Sequence, residues 1–194
     1  MDTYGECRQQ KGGTKKERQW GGMVMDIKRD LYEEKGGKKE VEGMMMGMMK
    51  VGKNRIRMGG VYVNMDMERK LENIAKWMEG KKEGVKIVIG GDFIARTGRE
   101  GGGIKEENEG EEEEERSSMD SKKNKDGKRL MEFIREKGWA ILNGNVKGDE
   151  KGNWTYTGGR GDSVIDYVLV DEETREEIEH MEIGDAIDHY PLII

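Results

Sequence analysis

One cysteine, Cys7, and one proline, Pro191, stand among 194 residues. A lone thiol can close no internal disulfide, so no cross-linked framework holds the chain, and a reducing compartment suits it. Apolar residues are scarce at 33%, with only two phenylalanines, and no run approaches the ~18 consecutive apolar residues of a transmembrane helix. The amino-terminal stretch lacks the apolar centre of a secretory signal. These absences argue against a disulfide-rich secreted domain and a helical membrane protein. The expectation is an intracellular chain, of nucleus or cytoplasm, monomeric and without a membrane partner.

What abounds is glycine, at 30 residues, and charge, at 39%. Glycine at that density with so little proline indicates a loop-rich α/β chain rather than a helical bundle. The length favours one domain with a real core, read as an irregular segment over 1–20 followed by a folded domain over 21–194. The formal charge of -6 conceals a division. Glu106, Glu107, Glu109 and Glu111 to Glu115 place eight negative charges in one run, and without them the body is faintly basic. Such a run repels itself and has no apolar anchors, so 104–124 is expected to be a disordered acidic insertion rather than a cation site.

Along the chain, GGMVMDI at 21–27 has the look of a first strand, and 28–39 is charged turn material. Residues 41–51 form a methionine-dense strand whose sulfurs suit core packing better than ligation. Residues 55–64 read as a strand broken or bulged near Gly59-Gly60. Then Asp66 caps a helix with apolar positions at Met67, Leu71, Ile74, Ala75 and Met78, and Gly80 follows it. The β-branched run Val85, Ile87, Val88, Ile89 is a buried strand, which makes a strand–helix–strand unit and favours helices packed on a sheet. A second helix is expected over 128–137, with Gly138 as its stop. Residues 139–142, 154–157 and 163–170 read as strands, the last two around a hairpin turn beginning GGRG. Residues 172–179 make a charged, helix-like connection, and a short apolar run ends the chain.

The chemistry lies in carboxylates set in or beside these strands, where burial is costly without a partner or a metal. Taken alone, Gly90-Gly91-Asp92 is ordinary turn chemistry, and a lone histidine is more often structural than catalytic. Three such places in one chain alter that reading: Asp92 after one strand, Asp166 within another, and Asp188-His189 before a third. If they meet at one end of a sheet, they suit metal-assisted hydrolysis of phosphate esters. One acid would prepare water, one would bind a divalent cation, and a histidine held by another aspartate would support the phosphate.

GGDFIA at 90–95, SVIDY at 163–167 and IDHYPL at 187–192 resemble the ordered motifs of the endonuclease/exonuclease/phosphatase superfamily. They are most similar to the apurinic-like endonuclease domains of non-LTR retrotransposons. The resemblance runs from about Trp20 to the end and includes VYVN at 61–64, ILN at 141–143 and WTYTGGRG at 154–161. It implies a two-sheet α/β sandwich flanked by helices, incomplete at the amino terminus, with Mg²⁺-dependent cleavage of phosphodiesters in DNA. Carried over by position, Asp92 would orient or activate water and share in metal binding, and Tyr62 would contact the phosphate. Asp166 would hold His189, His189 would face the scissile phosphate, and Asp188 would be a metal ligand.

Three departures imply impaired catalysis. Ile94 stands where the family has a polar amide, and Ile187 stands where it usually has serine. The family's first strands, with an early Asn and the principal metal-binding Glu, belong upstream of 21–27, where Glu6 and Glu17 are the only glutamates. The chain is therefore expected to be amino-terminally truncated and to bind Mg²⁺ weakly or not at all. The alternatives are an inactive remnant, a domesticated module that binds nucleic acid or a partner, and a phosphatase or phospholipase branch of the same superfamily.

Overall fold

The computed structural model describes residues 4–5, 23–33, 43–63, 66–80, 83–107, 110–186 and 188–194, with only the backbone of 4–5 and 104–113. The chain begins with β1 (Tyr4–Gly5), β2 (Ile27–Lys28), β3 (Met44–Val51) and β4 (Asn54–Tyr62), then α1 (Met67–Glu79) and β5 (Val85–Asp92). It continues through β6 (Ile104–Glu107), β7 (Gly110–Glu113), α2 (Lys125–Lys137), β8 (Trp139–Ile141), β9 (Tyr156–Gly158) and β10 (Gly161–Ser163). Last come β11 (Asp166–Asp171), α3 (Glu172–Glu177), β12 (Glu182–Ile183) and β13 (Leu192–Ile193). The central sheet has the order β3-β4-β5-β11-β8, and four two-stranded sheets surround it. Only β4 and β5 are parallel, because only they are joined by a helical crossover, α1; the other three pairs are antiparallel.

Side-chain alternation gives the central sheet two different faces. One buries Val61, Ile87, Ile89, Tyr167 and Leu169 under α1 and α2, whose Met67, Leu71, Ile74, Leu130, Phe133 and Ile134 belong to the same core. Each fully buried side chain of this size is worth roughly 1.5–3 kcal/mol, so the larger part of the apolar stabilisation lies on this face. The opposite face buries a smaller set, Val88, Leu142, Val168, Val170 and Met181, against Ile178, Ile183 and Leu192 of the last elements. Lys86, the charge that interrupts the β5 run, is buried on that side and ion-paired with Glu177 and Glu173 of α3. The helices α1 and α2 thus cover one face, and α3 with small strand pairs and loops the other, which is the expected α/β class with its second layer built from short pieces.

Both long helices begin at a side-chain cap and end at a glycine. Asp66 accepts from the Arg69 N–H at the start of α1. Asn124 accepts from the Gly127 N–H at the start of α2, three residues earlier than expected. Gly138 closes α2 with φ 62.

Four expectations need correction. The stretch read as a first strand is irregular over 23–26, and only Ile27–Lys28 pair, with β1. Its side chains instead lie flat against sheet glycines; a Cβ added to Gly47 would be 3.3 Å from Met25 Cε and 2.9 Å from Ile27 Cδ1. β4 is not bulged at Gly59-Gly60 but pairs in unbroken register on both sides. The missing side chain at Gly59 makes room for Trp77 of α1, whose Cη2 would be 3.1 Å from a Cβ there. The strand expected over 163–170 is two strands, β10 and β11, in different sheets. Thr155 Oγ1 accepts from the Ile165 and Asp166 N–H groups at 3.0 Å each, replacing ladder partners at the break.

The fourth correction concerns 104–124. Its backbone forms the β6–β7 hairpin, and the residues after it are packed into the molecule, with Arg116 1% and Asp120 2% exposed. The acidic composition masked a buried hydrogen-bonding segment that follows it. Of the irregular segment expected over 1–20, only 4–5 are described; Glu6, Glu17 and Ile187 lie outside the described residues.

Candidate active site

Tyr62 ends β4, Asp92 ends β5 and Asp166 begins β11, and the three are direct neighbours in the register of adjacent strands. Residues in register share a face, so one end of the sheet presents a tyrosine and two carboxylates side by side. Gly91, with φ 145, makes this possible: a Cβ there would collide with the Val61 carbonyl where β4 and β5 approach.

The fourth member arrives from the end of the chain. His189 bridges to Tyr156 of β9, and its Nδ1 lies 3.0 Å and 3.1 Å from the two Asp166 oxygens. A donor at Nδ1 leaves Nε2 as the outward-facing nitrogen. That atom stands 3.7 Å from Asp92 Oδ2, beyond direct hydrogen bonding and with room for a shared partner. The His189 side chain is 44% exposed, against 11% for Asp92 and 9% for Asp166. The imidazole therefore meets solvent while the carboxylates back it.

Burial, together with the Asp166 carboxylate, pushes Asp92 up to about 6, against the opposing pull of the Ile94 N–H and His189. Burial raises Asp166 as well, with His189 and Thr155 pulling the other way. Two shielded carboxylates side by side favour a bound proton or cation. The ligand atoms of Asp92, Asp166 and His189 lie within 4.8 Å of one another, the one such group among the described residues. This set can hold a divalent cation, chiefly through Asp92 Oδ2, because Oδ1 accepts the Ile94 N–H at 2.8 Å and both Asp166 oxygens face His189. One free carboxylate oxygen is a weak hold for a hard cation that keeps its waters.

Asp188, expected as a metal ligand, is not in that group. It is exposed, with φ 72, and its carbonyl accepts the Thr157 N–H at 2.9 Å. Its place is in the turn that presents His189. Ile94 and Asp188 are the two non-glycine residues with positive φ among those described, one two residues after Asp92 and the other just before His189, and backbone strain tends to collect at such sites. Two residues the sequence reading did not single out belong here. Thr155 anchors the start of β11, and Tyr156 packs its ring against His189 with centroids 4.7 Å apart. Both stand in the WTYTGGRG stretch at 154–161, which was noted for its resemblance and not for these side chains.

No family model and no curated protein matches the sequence. Among solved structures, the endonuclease domain of TRAS1, a telomere-specific non-LTR retrotransposon, superposes with a TM-score of 0.54 at 19% identity. The match covers 78% of this chain and 62% of that one. The chain shares the mixed α/β fold of that domain over the matched part. Within that fold the Asp166–His189 pair and Asp92 stand together at the end of the central sheet. Among the described residues, no helix is long and apolar enough to cross a membrane.

Proposed function

We propose that this chain is a nucleic-acid phosphodiesterase of the endonuclease type, dependent on Mg²⁺ or a similar cation and catalytically impaired. The observation that carries the reading is the contact of Asp166 with His189 Nδ1 at 3.0 Å, with Asp92 opposite Nε2. In this reading Asp166 keeps Nδ1 protonated and the ring oriented, so that Nε2 can donate to a phosphate oxygen. Asp92, opposite Nε2, orients the attacking water. Tyr62, half-buried beside it, offers its hydroxyl to the phosphate. Asp92 would hold the cation, with Asp188 joining if the turn around it rearranges; when bound, the cation would neutralise charge developing on the phosphate.

Impairment follows from the chain's own residues. Ile94 has no hydrogen-bonding side chain where the family has an amide, and loss of one such contact lowers rate on the order of 10²–10³-fold. The test is nicking of supercoiled DNA with and without Mg²⁺, beside the TRAS1 endonuclease domain. Slow cation-dependent nicking by this chain, abolished in His189→Ala, is expected. Nicking as fast as the TRAS1 domain would remove the impairment. DNA binding without cleavage under any divalent cation would favour a binding module, and neither binding nor cleavage would overturn the reading. With one free carboxylate oxygen, millimolar Mg²⁺ should raise the melting temperature by no more than about 1–2 °C. A larger rise abolished by Asp188→Ala would show that Asp188 completes the cation site.

A further inference from the structure

We infer that Tyr156 is a positioning residue for His189 and that Gly158 is what allows it to be one. The inference rests on the reading of His189 as the phosphate-facing group, but its physical content does not depend on turnover.

β9 and the turn that presents His189 run antiparallel. The Thr157 N–H donates to the Asp188 carbonyl at 2.9 Å, and the Tyr190 N–H donates to the Thr155 carbonyl at 2.8 Å. Tyr156 and His189 lie opposite each other between these two bonds. This makes them a non-hydrogen-bonded pair, the kind that brings facing side chains closest. Their rings are tilted by 51° at 4.7 Å between centroids, within the range of attractive aromatic contacts.

The hydrogen bond to Asp166 cannot by itself fix the imidazole. Nδ1 sits almost equally far from both oxygens, at 3.0 Å and 3.1 Å, so the ring can still turn about the line joining it to the carboxylate. Turning in that way would swing Nε2 away from Asp92. A ring packed against the imidazole restricts this freedom, and Tyr156 supplies it in a tilted contact. The tyrosine is itself held by its own strand. Residues two apart in a strand share a face, and a Cβ at Gly158 would come within 2.7 Å of Tyr156 Cε1 and Cζ. The Tyr156 ring thus lies over Gly158, and any side chain there would displace it. Thr157 Oγ1, bonded at 2.8 Å to both Asp162 Oδ1 and Tyr190 Oη, ties the next turn of the hairpin to the same segment.

The experiment follows the His189 ring protons by NMR in the full chain and in Tyr156→Phe, Tyr156→Ala and Gly158→Ala, with His180, the other of two histidines, as internal reference. In the unmodified protein and Tyr156→Phe, the His189 ring protons should be shifted by the neighbouring aromatic ring. The shift should vanish in Tyr156→Ala and fall in Gly158→Ala, although the latter keeps its tyrosine. Where nicking is measurable, kcat should drop on the order of tenfold to a hundredfold in both alanine variants with KM little changed, and Phe should retain it, as expected for a misplaced group. His189 signals indifferent to Tyr156, or an unchanged kcat in Tyr156→Ala, would overturn the inference. Should Tyr156→Ala fail to fold, Gly158→Ala decides the question. Shifts that behave as expected in a chain without nuclease activity would sustain the positioning role and sink the functional reading instead.

Discussion

Ile94 shows how one residue joins backbone energetics to chemistry. Its φ of 51 puts a β-branched side chain in the left-handed region, where a non-glycine L-residue is disfavoured by roughly 1–2 kcal/mol. The turn persists because Asp92 Oδ1 accepts the Ile94 N–H at 2.8 Å and Asn124 Nδ2 donates to the Ile94 carbonyl at 3.0 Å. The side chain recovers little in return, being 41% exposed. Asparagine tolerates this conformation far better, so Ile94→Asn should stabilise the protein by about 1 kcal/mol, read as a higher midpoint in urea. A lower midpoint would sink the strain account. The same variant should not restore nuclease activity by itself, because it adds no carboxylate to the single free oxygen of Asp92, and groups that must act together do not repair additively. The absence of an amide at 94 was legible in the sequence; the backbone conformation that penalises isoleucine there was not.

Elements were legible where one local signal sufficed. The α1 stripe, its Asp66 cap, the β5 run and the Gly138 stop all follow from spacing and residue type. The misread elements are those in which a distant partner supplied what the local pattern lacked. Thr155 divides 163–170 by accepting two backbone N–H groups from across the fold, and no period-2 pattern records that. Trp77 fell outside the expected α1 stripe and yet is 6% exposed, because Gly59 leaves it a slot on the sheet and Arg57 covers its ring with Cζ 4.3 Å from the centroid. The glycine pair that looked like a strand defect is half of a helix–sheet contact. Gly59→Val should therefore destabilise by roughly 1–3 kcal/mol through overpacking. Trp77→Leu, harmful alone, should recover part of that loss in the double variant. Strict additivity of the two in urea denaturation would show that Gly59 and Trp77 do not share this slot. For the candidate site, the meeting of Asp92, Asp166 and His189 was legible because two acids end or interrupt apolar strands and a histidine follows Asp188 near the end of the chain. Asp188 entered the metal set through the resemblance alone, and it stands in the turn that presents His189.

At the scale of the molecule, the two halves of the chain are joined behind the site by a buried polar network rather than by apolar packing alone. Arg116 bonds the Glu100, Gly98, Ser117 and Asn143 carbonyls and Thr97 Oγ1, and its guanidinium lies 5.4 Å from the Tyr167 ring centroid. Asp120 takes two 2.7 Å bonds from Arg96 and accepts the Lys122 and Val164 N–H groups, so it links the loop after β5 to the break before β11. Burial alone would raise the Asp120 carboxyl. The Arg96 guanidinium and the backbone donors outweigh burial and hold it below the ordinary carboxylate range. A carboxyl whose folded-state value is depressed contributes stability that is complete above its unfolded value of about 3.9 and is lost as pH falls through the folded value. Asp120→Asn, which leaves Arg96 unpaired, should be on the order of 3 kcal/mol less stable than the unmodified protein at neutral pH. The difference should hold down to about pH 4 and close below it, because protonation then removes from Asp120 the charge that the substitution removes outright. Denaturant midpoints for both proteins across that range are the measurement; a gap that stays constant into acid would mean that Asp120 stabilises the fold through shape and neutral hydrogen bonds rather than through its charge.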